Sequence, residues 1–175
     1  MKYADVIWND IVAGEGLCVS FYTQGCPHHC KGCHNPHTWH PLGGRDFPAD
    51  LLNTIVEKLN AQGIHRPFCI LGGEPLCADN LFLVNLLIRT IKEKSPHTPI
   101  YIWTGYTMEE LLATSAHHLQ YILENTDYII DGRYMEEYRD LTLPMRGSSN
   151  QRIFKFDKKE KKWYNQENEK EEFYL

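Results

Sequence analysis

Three cysteines, Cys26, Cys30 and Cys33, fall within the stretch GCPHHCKGCHN, residues 25–35, among His28, His29 and His34. The spacing is C-x3-C-x2-C. Three chemistries fit thiols so closely placed. They could close disulfides, although clustered thiols in a reducing cytosol more often bind metal or do chemistry. They could hold structural zinc, which takes four closed ligands, with His34 or His37 completing the set. They could hold an iron–sulfur cluster. A four-iron cluster normally takes four thiolates. Three leave one iron open, and by analogy with catalytic zinc an open position is where a substrate binds.

The other cysteines are read differently. Cys18 and Cys69 stand in apolar, strand-like runs and are expected to be small core residues, with Cys77 similar. His28, His29, His37 and His40 are expected to be supporting or exposed groups rather than ligands.

These side chains need a scaffold, and the pattern of the chain supplies one. LCVSFYTQG (17–25), FCILGG (68–73), IYIWTG (100–105) and DYIIDG (127–132) read as strands, with RIFKF (152–156) as a possible fifth. DLLNTIVEKLN (50–60), NLFLVNLLIRTIKEK (80–94) and about 116–124 read as helices. Thr107 with Glu110 three positions on is a capping box opening another helix. Strand–helix alternation implies a parallel sheet with right-handed crossovers. The expected fold is α/β, an open partial (β/α) barrel of about five to six mainly parallel strands. The domain covers 1–156. The charged segment 157–175 is either a short hairpin or a mobile end.

Each polar motif follows the C-terminal end of a strand. The cysteine loop follows the first, GGEP (72–75) the second, WTGY (103–106) the third and DGRY (131–134) the fourth. That edge is where parallel α/β folds build their sites. Gly72 and Gly73 allow positive φ and close backbone approach to a ligand, and Glu74 offers a carboxylate that can accept from an ammonium group. Asp131 is open to two readings, a ligand contact or a helix or turn cap. Arg146 to Gln151, RGSSNQ, is a dense run of hydrogen-bonding groups that could bind a cofactor, order the last strand or meet a partner.

The bulk properties narrow the classes. Of 175 residues, 18 are basic and 23 acidic, a net charge of −5. That argues against a dedicated nucleic-acid binder. No apolar run is long enough for a membrane helix, and MKYADVIWND lacks the apolar core of a signal peptide, so a cytoplasmic location without membrane contact is expected.

The cysteine spacing resembles that of the radical S-adenosylmethionine enzymes. GCPHHCKGCHNPHTW, GGEP, WTGY, DGRY and RGSSNQ, in that order from about Ile11 to Arg152, resemble the activators of anaerobic (class III) ribonucleotide reductases. The resemblance implies that Cys26, Cys30 and Cys33 ligate a 4Fe–4S cluster. It implies that S-adenosylmethionine chelates the fourth iron and is bound by Gly32, Cys33, His34, Gly72, Gly73, Glu74, Thr104 and Asp131, with its ammonium at Glu74. The implied protein substrate is the large subunit of the reductase, on which a glycyl radical is installed. A low-potential donor such as flavodoxin would reduce the cluster. Two alternatives stand beside this, another radical enzyme of the same type with a different target, and a non-catalytic zinc module. The chain departs from the family at GEGLC (14–18), where Glu15 and Cys18 replace a proline and an arginine.

Overall fold

A computed structural model describes residues 1–168 and 170–175. The chain opens with β1 (Lys2–Asp10), β2 (Cys18–Thr23) and the two-residue β3 (Arg45–Asp46). There follow α1 (Leu51–Leu59), β4 (Phe68–Gly72), α2 (Ala78–Lys94) and β5 (Ile100–Trp103). Two short helices, α3 (Met108–Leu112) and α4 (His117–Glu124), lead to β6 (Tyr128–Asp131). The chain ends with β7 (Arg152–Asp157), β8 (Lys162–Asn165) and β9 (Glu172–Tyr174).

The nine strands among the described residues form one sheet in the order β3-β1-β2-β4-β5-β6-β7-β8-β9. Only β2, β4, β5 and β6 run parallel, with Phe21 beside Ile70, Ile70 beside Ile102 and Ile102 beside Ile129. Their order never reverses. Right-handed crossovers therefore carry every connecting helix to the same face. The side chains agree. Val19, Phe21, Phe68, Ile70, Ile100, Ile102 and Ile129 from the strands share one core with Ile55, Leu59, Leu87, Ile88, Met108 and Ile122 from the helices. Alternate strand residues point the other way. Cys18, Cys69, Tyr101 and Ile130 form a second, smaller cluster on the opposite face.

The sequence-predicted helices and parallel strands appear close to their expected bounds. Thr107 accepts from the Glu110 amide and Glu110 accepts from the Thr107 amide, so the capping box is present. The 152–156 strand forms, but antiparallel to β6, with Asp131 opposite Arg152. No crossover helix separates the two. The chain turns within 132–151 and comes straight back, which only an antiparallel partner permits. The N-terminal β1 and the short β3 were not among the expected strands, whereas β8 and β9 pair antiparallel as in the hairpin reading of 157–175. The 157–175 segment adds two strands to the sheet: Trp163 is fully buried against Phe156, and Tyr164 pairs with Lys155. No helix among the described residues is long and apolar enough to cross a membrane.

Candidate cluster and ligand site

The cysteine loop leaves β2 and folds back on itself. The Gly25 and Cys26 amides donate to the Thr38 and Trp39 carbonyls at 2.7 and 3.1 Å. Pro36 starts a single 3-10 turn, Pro36–Thr38, and the buried Thr38 hydroxyl donates to the Asn35 carbonyl at 2.8 Å. Within the loop the Cys33 amide donates to the Cys30 carbonyl, and the Asn35 amide donates to the Cys33 sulfur at 3.3 Å. An N–H aimed at a ligating sulfur is one of the means by which proteins set cluster potential.

The three thiols are half-buried and free. Burial pushes Cys26 and Cys30 above the ordinary thiol range, and the neighbouring Cys33 adds to it at Cys30. A bound metal reverses this, because a coordinating thiol is deprotonated outright. Among the described residues, no three His, Cys, Asp or Glu side chains converge on a point as ligands of a single ion do.

GGEP docks directly on this loop. The Gly73 amide donates to the Thr23 carbonyl and the Glu74 amide to the Gly25 carbonyl, at 2.9 and 2.8 Å. The glycines are required by this contact. Gly72 has φ +102°, and a Cβ on Gly73 would lie 2.4 Å from the Gly25 carbonyl oxygen. Their smallness serves the packing of one strand exit on the next.

Glu74 is 1% exposed, and its carboxylate is held on all sides. Oε1 accepts from the Leu76 amide at 2.9 Å and the Thr104 hydroxyl at 2.7 Å. Oε2 accepts from the Gly105 amide at 2.6 Å and faces His28 Nε2 at 2.8 Å. A carboxylate has about four lone-pair positions, and each has a partner here. An incoming ammonium has to share an oxygen with one of them.

A cleft of about 530 Å³ lies at this edge of the sheet. That is a usual size for a small-molecule site. Cys26, Cys30, Cys33, His34, Gly72, Gly73, Glu74 and Thr104 line it. So the cysteine loop, GGEP and WTGY meet on one wall, as their strand ends require. Trp39 also lines the cleft, and its buried indole N–H has no partner among the described residues. Three soft thiol donors beside a deep carboxylate and an unpaired donor fit a thiolate-held cluster with a polar organic ligand next to it.

Two expected residues lie elsewhere. Gly32, with φ +74°, is exposed, and a Cβ there would overlap the Glu136 carboxylate. It serves the turn. Asp131 belongs to a second, charged cleft. Its Oδ2 accepts from the Met108 amide at the start of α3 at 2.8 Å, and both oxygens meet the Arg152 guanidinium at 2.5 and 3.0 Å. Burial pushes its carboxyl upward against the pull of that arginine. This is the cap arrangement that the sequence left open.

RGSSNQ orders the loop beyond β6. Gln151 Oε1 accepts from the Gly147 amide at 2.9 Å, and its Nε2 donates to the Gly132 carbonyl at 3.0 Å. Asn150 donates to the Arg133 carbonyl and Ser148 accepts from the Met135 amide. Arg146, Gly147 and Gln151 also line the main cleft, as do Trp103, Tyr134 and Met145. The tyrosine and tryptophan gave no periodic signal that separates a site residue from a core one. At the family departure, Cys18 is fully buried, its sulfur directed at the Glu15 and Gly16 carbonyls. It fills the core under Gly14.

Residues 12–154 match the family described as 4Fe-4S single cluster domain. Similar curated proteins carry the name anaerobic ribonucleoside-triphosphate reductase-activating protein. One from Pasteurella multocida is 34% identical over 157 residues, 89% of this chain and 98% of its own length. One from Vibrio cholerae is 34% identical over 89% of this chain and 99% of its own. One from Escherichia coli is 32% identical over 86% and 96%.

Proposed function

This chain belongs to the family of anaerobic ribonucleoside-triphosphate reductase-activating proteins, and from that premise we propose that it is a radical S-adenosylmethionine enzyme. Cys26, Cys30 and Cys33 hold a 4Fe–4S cluster, and S-adenosylmethionine lies in the adjoining cleft. The observation that carries the proposal is the meeting of these three thiols with the buried Glu74 on one cleft wall. When bound, cluster and S-adenosylmethionine together would supply, on one-electron reduction with cleavage of the carbon–sulfur bond and loss of methionine, a 5′-deoxyadenosyl radical able to take hydrogen from a backbone glycine of the reductase large subunit.

The residues of this chain bind and orient. Glu74 is held in place by two amides, Thr104 and His28, and an ammonium group shares one of its oxygens with these donors. Leu71, Trp103, Leu143 and Met145 give the cleft part of an apolar lining. They limit the water that could quench a radical. We read the four parallel strands, with every helix on one face, as the segment of a barrel. The uncovered side is where a loop of a second protein enters. Such chemistry suits a reducing cytoplasm, with a low-potential donor such as flavodoxin.

The test is to mix the reduced, cluster-loaded protein with S-adenosylmethionine and the large reductase subunit from the same source. A glycyl radical doublet should appear. With deuterated glycine in the reductase, deuterium should pass into 5′-deoxyadenosine. Formation of 5′-deoxyadenosine with no deuterium and no radical would mean another target. A protein holding zinc and no sulfide would end the cluster assignment.

A further inference from the structure

His28 sits inside the cysteine loop, between Cys26 and Cys30, and lies outside the proposed ligand set. Its side chain is only 6% exposed. It touches every neighbouring strand end. At the exit of β4, Nε2 is 2.8 Å from Glu74 Oε2. At the exit of β5, the ring lies against Gly105: a Cβ there would come within 2.4 Å of Cδ2 and 2.7 Å of Nε2. The Tyr106 ring meets it edge-on, with centroids 4.6 Å apart. From the exit of β6, Arg133 Nε donates to Nδ1 at 3.1 Å.

These contacts fix the tautomer. A guanidinium only donates, so Nδ1 carries the lone pair. The proton is then on Nε2, facing Glu74. Two of the other Glu74 donors are backbone amides and the third is the buried Thr104 hydroxyl. His28 is the one donor that comes from the cysteine loop. It ties the carboxylate to the segment that holds the thiols.

We propose that His28 is a positioning residue, whose Nε2–H holds the Glu74 carboxylate in the orientation that receives the ammonium group of S-adenosylmethionine. The inference rests on the function proposed above. It couples order in the cysteine loop to affinity at Glu74. A ring that merely fills space against Gly105 and Tyr106 would have no such effect, and the two roles separate by substitution.

The experiment titrates S-adenosylmethionine calorimetrically into anaerobically reconstituted protein, with iron and sulfide measured on each sample. His28→Ala should keep about four irons and four sulfides. It should bind S-adenosylmethionine about tenfold more weakly, the range for losing one hydrogen bond to a charged group. His28→Phe, which keeps a ring on Gly105 but has no N–H, should be as weak as the alanine variant, and it carries the test if the alanine variant does not fold. His28→Gln, which restores an N–H donor, should return to within about threefold of the wild type. The perturbation of the reduced cluster's paramagnetic resonance by added S-adenosylmethionine should shift along the titration in the same order. Unchanged affinity in His28→Phe, or no recovery in His28→Gln, overturns the proposal. So does loss of the cluster in His28→Gln, which would place the residue's work on the loop itself. If the wild type holds a cluster and binds no S-adenosylmethionine, the proposed function falls and this inference with it. If the wild type binds and the variants do not differ, only the inference falls.

Discussion

Arg146 and Glu167, 21 residues apart, meet fork to fork, with Nη1 2.5 Å from Oε2 and Nη2 2.6 Å from Oε1. Arg146 belongs to the loop that lines the cleft, and its side chain is 3% exposed. Glu167 belongs to the charged C-terminal segment and is 54% exposed. The pair is bidentate, which gives direction as well as energy. A second clasp lies beside it, where Arg152 on β7 meets Glu171. The segment after β7 therefore holds the RGSSNQ loop over the cleft.

Removing one side of the first clasp should loosen that loop. Glu167→Ala should cost about 1–2 kcal/mol, the low end for charge-assisted bonds, because water reaches the half-exposed carboxylate and can replace it. Arg146 keeps weaker partners, the Gln151 and Pro144 carbonyls. Urea unfolding of both single variants and the double variant gives the coupling directly. Hydrogen exchange should quicken at 146–151 and not in α2. Equal exchange in the variant and the wild type would show that the loop holds itself.

That clasp also marks where sequence reasoning stopped. The parallel strands and their helices were legible because buried strands and amphipathic helices leave strong periodic signals, and each polar motif sat just past a strand end. β8 and β9 are four and three residues long, with Trp163 and Phe173 as their main apolar groups among many charges. Such runs are too short for periodicity to speak. β1 had a weak alternating signal in Val6 and Trp8, which pack on the core while Asp5 and Ile7 face outward. Asp131 stayed ambiguous because its deciding partner, the Met108 amide, lies 23 residues away. Glu74 was marked by its place after two glycines, but its four partners come from three separate strand exits.

The cysteines divide into two groups with opposite expectations. Alanine at Cys26, Cys30 or Cys33 should each leave the protein without a stable cluster and without turnover. Alanine at Cys69 should not, because that thiol is fully buried beside Cys18. Its hydrogen bond with Cys18, together with burial, holds it far above the ordinary thiol range, and it lies in the smaller core cluster, outside the lining of the cleft. Cys77 is similar: burial pushes it up to about 11. Iron and sulfide analysis with a turnover assay checks all five variants. A full cluster in any of the first three would refute the ligand assignment.

Glu74→Gln keeps shape and removes charge. The amide must offer N–H where one oxygen now accepts two donors, so at least one of the Gly105, Leu76, Thr104 or His28 bonds is broken. Binding of S-adenosylmethionine should weaken roughly ten- to a hundredfold with the cluster retained. The variant should also be less stable than wild type by about 1–3 kcal/mol, since a buried donor is left unmatched. Unchanged affinity in calorimetry, beside the expected loss of stability, would make Glu74 a structural clasp between strand exits rather than a binding group.

Gly105→Ala tests the same wall from the opposite side. The added methyl would stand 2.4 Å from the His28 ring, far inside contact distance. The backbone at Gly105 is not in the left-handed region, so the strain arises from that contact alone. The ring has to move, and its bond to Glu74 goes with it. The single variant should bind S-adenosylmethionine about tenfold more weakly, as His28→Ala does, because both lose one hydrogen bond to a charge. In the His28→Ala background its three nearest obstacles, all atoms of the His28 ring, are gone, and the methyl should add almost nothing. Two substitutions that act through one contact are non-additive, whereas independent effects would multiply. Affinity measured around that four-member cycle decides the matter. A double variant about a hundredfold weaker than wild type would mean that Gly105 and His28 act separately.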